Sequence, residues 1–223
     1  MRTKKTYVNP GIHPAALGVL MLIAAILVLV ACATSSMDRS AKATASMRTV
    51  DSDIRLALLQ VDATNASLED LIKADQTDVK KSFDRFSEQA AKMEHQGQLL
   101  VKHTDEMSAR RLEYFSEWEK QGNTYANPEI RELSEQRRAD LSAIFAEIPA
   151  AGVGIKGAFH TYLSDIKEIQ KFLNNDLTPK GITSITPTAQ KSIQDGDNLK
   201  DAVKPVVAAI DRARTEMAQG AAK

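Results

Sequence analysis

The stretch VKKSFDRFSEQAAKMEHQGQLLVKHTDEMSARRLEYFSEWEK, residues 79–120, decides the fold. Val79, Phe83, Phe86, Ala90, Met93 and Gly97 fall at alternating steps of four and three, and the rhythm continues through Leu100, Thr104, Met107, Arg111, Tyr114 and Trp118. Such steps bring every one of these positions to one side of an α-helix and make a heptad seam. Glu88 and Lys92, four apart, lie off the seam, where an ion pair faces water. The spacing predicts a helix of about 42 residues, roughly 60 Å long.

The same rhythm extends outward in both directions. Upstream, Met47, Val50, Ile54, Ala57, Val61, Thr64, Leu68 and Leu71 form a first seam, which stops at KADQTD, residues 73–78. Asp75, Thr77 and Asp78 offer the side-chain oxygens that cap a following helix. Downstream, KQGNTYANPE, residues 120–129, holds Gly122, suited to a left-handed cap, and then Asn127, Pro128 and Glu129, a cap with a pre-set first residue and an acidic first turn. A third helix carries Ile130, Leu133, Leu141, Ile144, Ile148, Ile155, Phe159, Tyr162, Ile166, Ile169 and Leu173. Pro149 with Gly152, Gly154 and Gly157 predicts a kink or short break near 148–154, because proline removes a helix hydrogen bond and clashes with the preceding turn. After NNDLTPKG, residues 174–181, a fourth helix starts at Thr178–Pro179 or Thr186–Pro187 and runs from Ile182 to Met217, with Pro205 inside it. No stretch alternates with a period of two, so strands are not expected. Short turns between long helices force antiparallel neighbours. The expected fold is all-α, an elongated antiparallel bundle or coiled coil of three to four long helices over residues 47–219.

Ahead of the bundle lie Arg2, Lys4 and Lys5 without an acidic residue, and an apolar run from Ala15 to Ala31 broken only by Gly18. This is the layout of an export signal over residues 1–31. The run ends in Leu29, Val30, Ala31 and Cys32, the only cysteine. These four residues resemble the lipobox of bacterial lipoproteins, an aliphatic residue and two smaller ones before an invariant cysteine. The resemblance implies that the Cys32 thiol takes diacylglycerol and becomes the first residue of the mature chain, anchoring it without a transmembrane helix. The other reading of Cys32 is a small buried hydrophobe ending a signal-anchor helix. Ala33 stands where, in enterobacterial sorting, an aspartate retains lipoproteins at the inner membrane, so the resemblance favours the outer membrane. ATSSMDRSAKATAS, residues 33–46, has almost nothing to bury; with Cys32 it reads as a flexible tether over 32–46, with helix admitted near its end.

The residues Phe115, Ser116, Glu117, Trp118 and Glu119, then Tyr125, Arg131, Arg137 and Arg138, then Phe159 and the Leu173–Asn174–Asn175 turn resemble the bacterial lipoprotein family catalogued as domain of unknown function 2959. The likeness covers roughly residues 47–217. It implies an exported, coiled-coil lipoprotein with no known activity. The chain departs from that family's pattern at Pro149 and the neighbouring glycines.

Catalytic and metal chemistry finds no purchase in the pattern. A di-iron bundle needs Glu-x-x-His pairs, but Lys92, Leu100 and Gly157 stand three residues before His95, His103 and His160. His95 and His103 are eight apart, the wrong spacing for a zinc-protease helix. There is no Gly-x-Ser-x-Gly elbow, and the glycines of residues 152–157 follow no strand. No enzyme activity, metal or cofactor is therefore expected. Removing Arg2, Lys4 and Lys5 with the signal leaves 26 basic residues against 29 acidic ones, near −3, which speaks against nucleic acid as a partner. Phe115, Trp118 and Tyr125 either plug the end of the bundle or form an interaction cluster, tryptophan and tyrosine being frequent anchors in interfaces. The expected function is a lipid-anchored, non-catalytic scaffold, spacer or interaction module of the cell envelope, facing the periplasm. Its partners are the membrane, through the lipid on Cys32, and an envelope protein; the seams also admit an oligomer. The alternative is a membrane-surface protein that binds or shapes lipid, drawing its basic face from Arg110, Arg111, Arg131, Arg137 and Arg138.

Overall fold

The computed structural model describes the backbone of residues 14–73 and 78–221, and side chains over 36–73 and 78–219. Arg2, Lys4, Lys5, Asp75 and Thr77 lie outside the described residues, as do the side chains of Leu29, Val30, Ala31 and Cys32. The chain forms five helices: α1 (Pro14–Ile72), α2 (Val79–Gly122), α3 (Pro128–Ala151), α4 (Ile155–Asn175) and α5 (Pro179–Ala221). No strand occurs among the described residues. α3 and α4 follow one another along one line, so the five helices make four rods of an all-α bundle.

Cross-rod bonds fix the order and direction of the rods. Gln60 donates to the Gln89 side chain at 3.0 Å and Asp53 meets His103 at 2.5 Å, which sets α1 antiparallel to α2. Arg214 lies 3.7 Å from Asp51 and Asn65 Nδ2 donates to the Ile193 carbonyl at 3.0 Å, setting α5 antiparallel to α1. Arg137 with Glu216 and Arg212 with Glu147, each at 2.6 Å, set α3 against α5. Lys167 with Glu94, 2.6 Å apart, ties α4 to α2. The result is an up-down-up-down square in which α2 packs closely along α1 but only lightly against α3 and α4.

All eight seam residues named for the first helix are buried. On α2 the seam is buried at Phe83, Phe86, Ala90, Met93, Gly97 and Met107. The predicted caps form as well. Asp78 accepts from the Lys81 N–H at 3.0 Å, Asn127 accepts from Glu129 N–H at 2.9 Å, and the Thr178 hydroxyl accepts from Gly181 N–H at 3.1 Å, so the last helix starts at Pro179 and carries Pro187 inside it. The expected break falls between Ala151 and Ile155, with Gly154 at φ 83°, the left-handed region that glycine enters without a Cβ clash.

Three sequence expectations need correction. The stretch 32–46 is not a flexible tether: α1 runs through it without interruption, Ala43 is buried, and Thr44 donates to the Met217 sulfur at 3.6 Å. Small polar residues supply little driving force of their own, but Asp38 and Lys42 pair at 2.7 Å and neighbouring rods supply the surface that the segment covers. Gly122 is not a left-handed cap either; it ends α2 in helical geometry, and a Cβ there would lie 3.4 Å from the Ser134 hydroxyl, so its smallness serves the α2–α3 approach. Finally, Ile130 and Leu133 do not join the seam of α3. They are 48% and 69% exposed, and α3 turns Leu141, Phe145 and Ile148 inward instead.

Two glycines should respond oppositely to the same substitution. At Gly181 a Cβ would stand 2.3 Å from the backbone oxygen of Asp176, which has no rotamer to move away with. We expect Gly181→Ala to lose about 1–3 kcal/mol through this overpacking. At Gly157 a Cβ meets nothing within 4 Å, so Gly157→Ala should gain about 0.5 kcal/mol from the lower chain entropy of the unfolded state. Urea unfolding of the two variants checks both signs; a stabilised Gly181→Ala would mean that the α4–α5 turn is looser than described.

Candidate functional site

The residues singled out by the sequence meet different fates. At the end of α2, Tyr114 makes edge contacts with Phe115 and Trp118, at centroid distances of 5.3 and 5.7 Å, and Phe115 meets Phe145 of α3 edge-on at 5.4 Å. The Trp118 indole N–H donates to the Ser134 hydroxyl at 3.0 Å. Both named rings are half-buried against α3, the arrangement of an end plug. Tyr125 does not join them. It sits in the α2–α3 turn, 39% exposed, and its carbonyl accepts from Arg131 at 2.7 Å.

Antiparallel register relates this end to Cys32. His103 lies opposite Asp53, and Arg39 stands near Tyr114 and Glu117, so stepping back along α1 matches stepping forward along α2. Continued along the helix, that register brings the backbone at residue 32 level with the end of α2, near Gly122.

The arginines that a basic face would draw on are largely occupied. Arg110 pairs with Glu113, Arg137 with Glu216 and Arg138 with Glu119, at 2.8, 2.6 and 3.2 Å. Arg111 alone of this set has no partner among the described residues. His95 is exposed, and His103 sits at the seam edge on Asp53. Among the described residues no three His, Cys, Asp or Glu side chains gather closely enough to hold a metal ion.

Two interior features escaped the sequence reading. The first is a polar layer across three rods: the Tyr162 hydroxyl donates to Asn65 Oδ1 at 2.9 Å while Asn65 Nδ2 donates to the Ile193 carbonyl at 3.0 Å. Gly196 makes room for it, since a Cβ there would lie 2.8 Å from Asn65 Nδ2 and 2.9 Å from the Tyr162 ring. Burial pushes the Tyr162 phenol well above the ordinary tyrosine value, so it remains a donor. Asn65, directly after the seam residue Thr64, was the available signal.

The second is a cavity of about 420 Å³ between the rods, at the level where α3 gives way to α4. Leu58 of α1, Leu100 of α2, Ile155 and Phe159 of α4 and Val206 of α5 converge on it without filling it. The cause is local. Pro149 and Gly152 line the cavity where the rod is broken, and Ala57 adds little volume from the opposite side. No family model matches the chain, no curated protein matches it, and no solved structure matches it.

Proposed function

We propose that the protein is a lipid-anchored, non-catalytic helical rod of the bacterial cell envelope, facing the periplasm from the outer membrane, that scaffolds or spaces other envelope components. The observation that carries this reading is the sequence Leu29–Val30–Ala31–Cys32 at the close of the apolar run, followed by a body made almost wholly of long heptad seams. The likeness to the domain of unknown function 2959 belongs to the same reading and rests on the residues quoted for it. The helical register supports it further, since an anchor at residue 32 stands level with one end of the bundle and leaves the rest of the rod to project. Tyr125, Ile130 and Leu133 keep large apolar surface exposed at that end, which suits contact with a protein or with the membrane itself.

The membrane-shaping alternative is less well supported, because its basic face is mostly neutralised by ion pairs within the bundle. Site-specific photo-crosslinking in cells tests the scaffold reading. A photoreactive residue at Ile130 or Leu133 should give protein adducts of discrete mass, whereas one at Asp201 or Lys204, two exposed charged positions on α5, should not. Adducts with lipid alone at every position would overturn the scaffold in favour of the membrane-surface reading.

A further inference from the structure

The cavity at the α3–α4 break is an unusual defect for a helical bundle. Interiors of this kind normally close to near-crystalline density, and apolar side chains that converge on one point touch. Here they line a hollow that spans Val50 to Val61 on α1, Leu100 to Arg111 on α2 and Leu199 to Ile210 on α5. Each span is eleven steps of helix, so the hollow is about 16 Å long and runs parallel to the rods. It is lined mainly by apolar side chains and lies beside the light contact of α2 with α3 and α4, where the more exposed lining residues mark its mouth.

The mouth differs in character from the interior. Arg111, half-buried, and Lys156, exposed, flank it from α2 and α4. Neither has an ion-pair or hydrogen-bond partner among the described residues. Thr104, Asp105 and Ser108 complete the rim on α2. Asp105 is the single acid there, so the rim keeps one net positive charge; the Ser108 hydroxyl is able to donate to an oxygen anion, while the Thr104 hydroxyl already donates to the Leu100 carbonyl at 2.7 Å. An elongated apolar slot edged by unpaired cations matches one ligand shape: a single hydrocarbon chain with an anionic head.

We propose that this cavity binds a single-chain carboxylate amphiphile, a fatty acid of about 12 to 16 carbons, the chain lying along the slot and the carboxylate between Arg111 and Lys156. Volume sets the length, since a methylene takes about the 30 Å³ of a water molecule and the hollow then holds about 14 of them. The apolar chain gains by leaving water, and the side chains around it gain the contacts they lack. Guanidinium and ammonium groups at the mouth select a carboxylate over a neutral or cationic head. The inference is independent of a lipid on Cys32, which stands 18 residues before Val50, the first residue of α1 to line the cavity.

Gly152 provides the means to test it. A Cβ there has only ordinary contacts, the nearest being 3.5 Å from the Ile148 carbonyl and 3.9 Å from Val206 Cγ2, so Gly152→Phe can fill the slot without displacing backbone. The full-length chain, in nanodiscs of phosphatidylcholine, is irradiated with a fatty acid of about 14 carbons carrying a diazirine near its tail, and cross-linked peptides are mapped by mass spectrometry. Expected are adducts on peptides containing Leu58, Leu100, Phe159 or Val206, lost by about tenfold or more in Gly152→Phe, a change of at least 1.4 kcal/mol in affinity. The thermal midpoint and helical circular dichroism of Gly152→Phe should be unchanged or raised, which separates a filled site from an unfolded one. The double variant Arg111→Glu, Lys156→Glu, whose substitutions lie at the rim, should lose label severalfold while keeping its fold. Adducts confined to peptides before residue 36, label unchanged by Gly152→Phe, or equal labelling by a photoreactive alkylamine would each overturn the proposal.

Discussion

Tyr162→Ala is expected to lower the stability of the bundle by about 4 kcal/mol, in the range for removing a buried aromatic side chain, and the thermal midpoint by roughly 8–16 °C for a chain of this size. The ring is 1% exposed and lies in the layer it shares with Asn65 and Gly196. Its removal opens a cavity and also strands Asn65, whose Oδ1 loses its donor inside the core. Tyr162→Phe separates the two contributions: it keeps the ring, drops the hydroxyl, and should cost about 1–2 kcal/mol. The pH dependence has a definite sign. The folded-state phenol is raised above its unfolded value, so its contribution is complete below the ordinary tyrosine range near pH 10 and is lost as pH climbs from there towards the raised value. Wild type should therefore lose stability above about pH 10 more steeply than Tyr162→Phe does. Calorimetry across pH checks all three values, and a Tyr162→Ala midpoint within a few degrees of wild type would mean that the polar layer is not what holds α4 to α1 and α5.

Cys32→Ala should abolish acylation outright. Cells fed a clickable fatty acid would label the wild-type protein through Cys32 and leave the variant at background, because the chain contains no other thiol. The variant should also accumulate as a longer precursor, held by its uncut apolar run. Its helical content should hardly change, since the described core begins with Ala43 and Met47. Equal label on both proteins, or label on neither, would sink the lipoprotein reading and leave a signal-anchor helix in its place.

Much of the architecture was legible because heptad spacing is a local property of the chain. All eight seam positions named for α1 are buried, and the break at residues 152–154 lies where Pro149 and its glycines announce it. Spacing identifies a face, however, and cannot say what stands opposite it. Ile130 and Leu133 obey the rhythm but are exposed, while Phe145, one residue from the named Ile144, takes the inward place against Phe115. The cavity was illegible for the same reason, since it is made of what five helices fail to supply at one level. One misreading was avoidable. A second helix of about 42 residues cannot be covered by a first helix limited to residues 47–72, and the mismatch of roughly 25 Å already required α1 to begin near residue 32.

That unbroken α1 alters how an anchored body would meet its surroundings. A coil of fifteen residues allows roughly 20 Å of free excursion and lets a domain sweep a hemisphere of membrane in search of a binding surface. A helix that runs unbroken from residue 32 into the packed body permits no such search. The effective concentration of the far end of the rod is then near zero everywhere except at one height above the bilayer, where it is high. Partners at that height meet the rod already in position, and partners a nanometre nearer or farther never meet it. On the lipoprotein reading, the chain behaves as a gauge of distance rather than a leash, and inserting a short glycine–serine segment between residues 35 and 36 would convert the one into the other without touching the core.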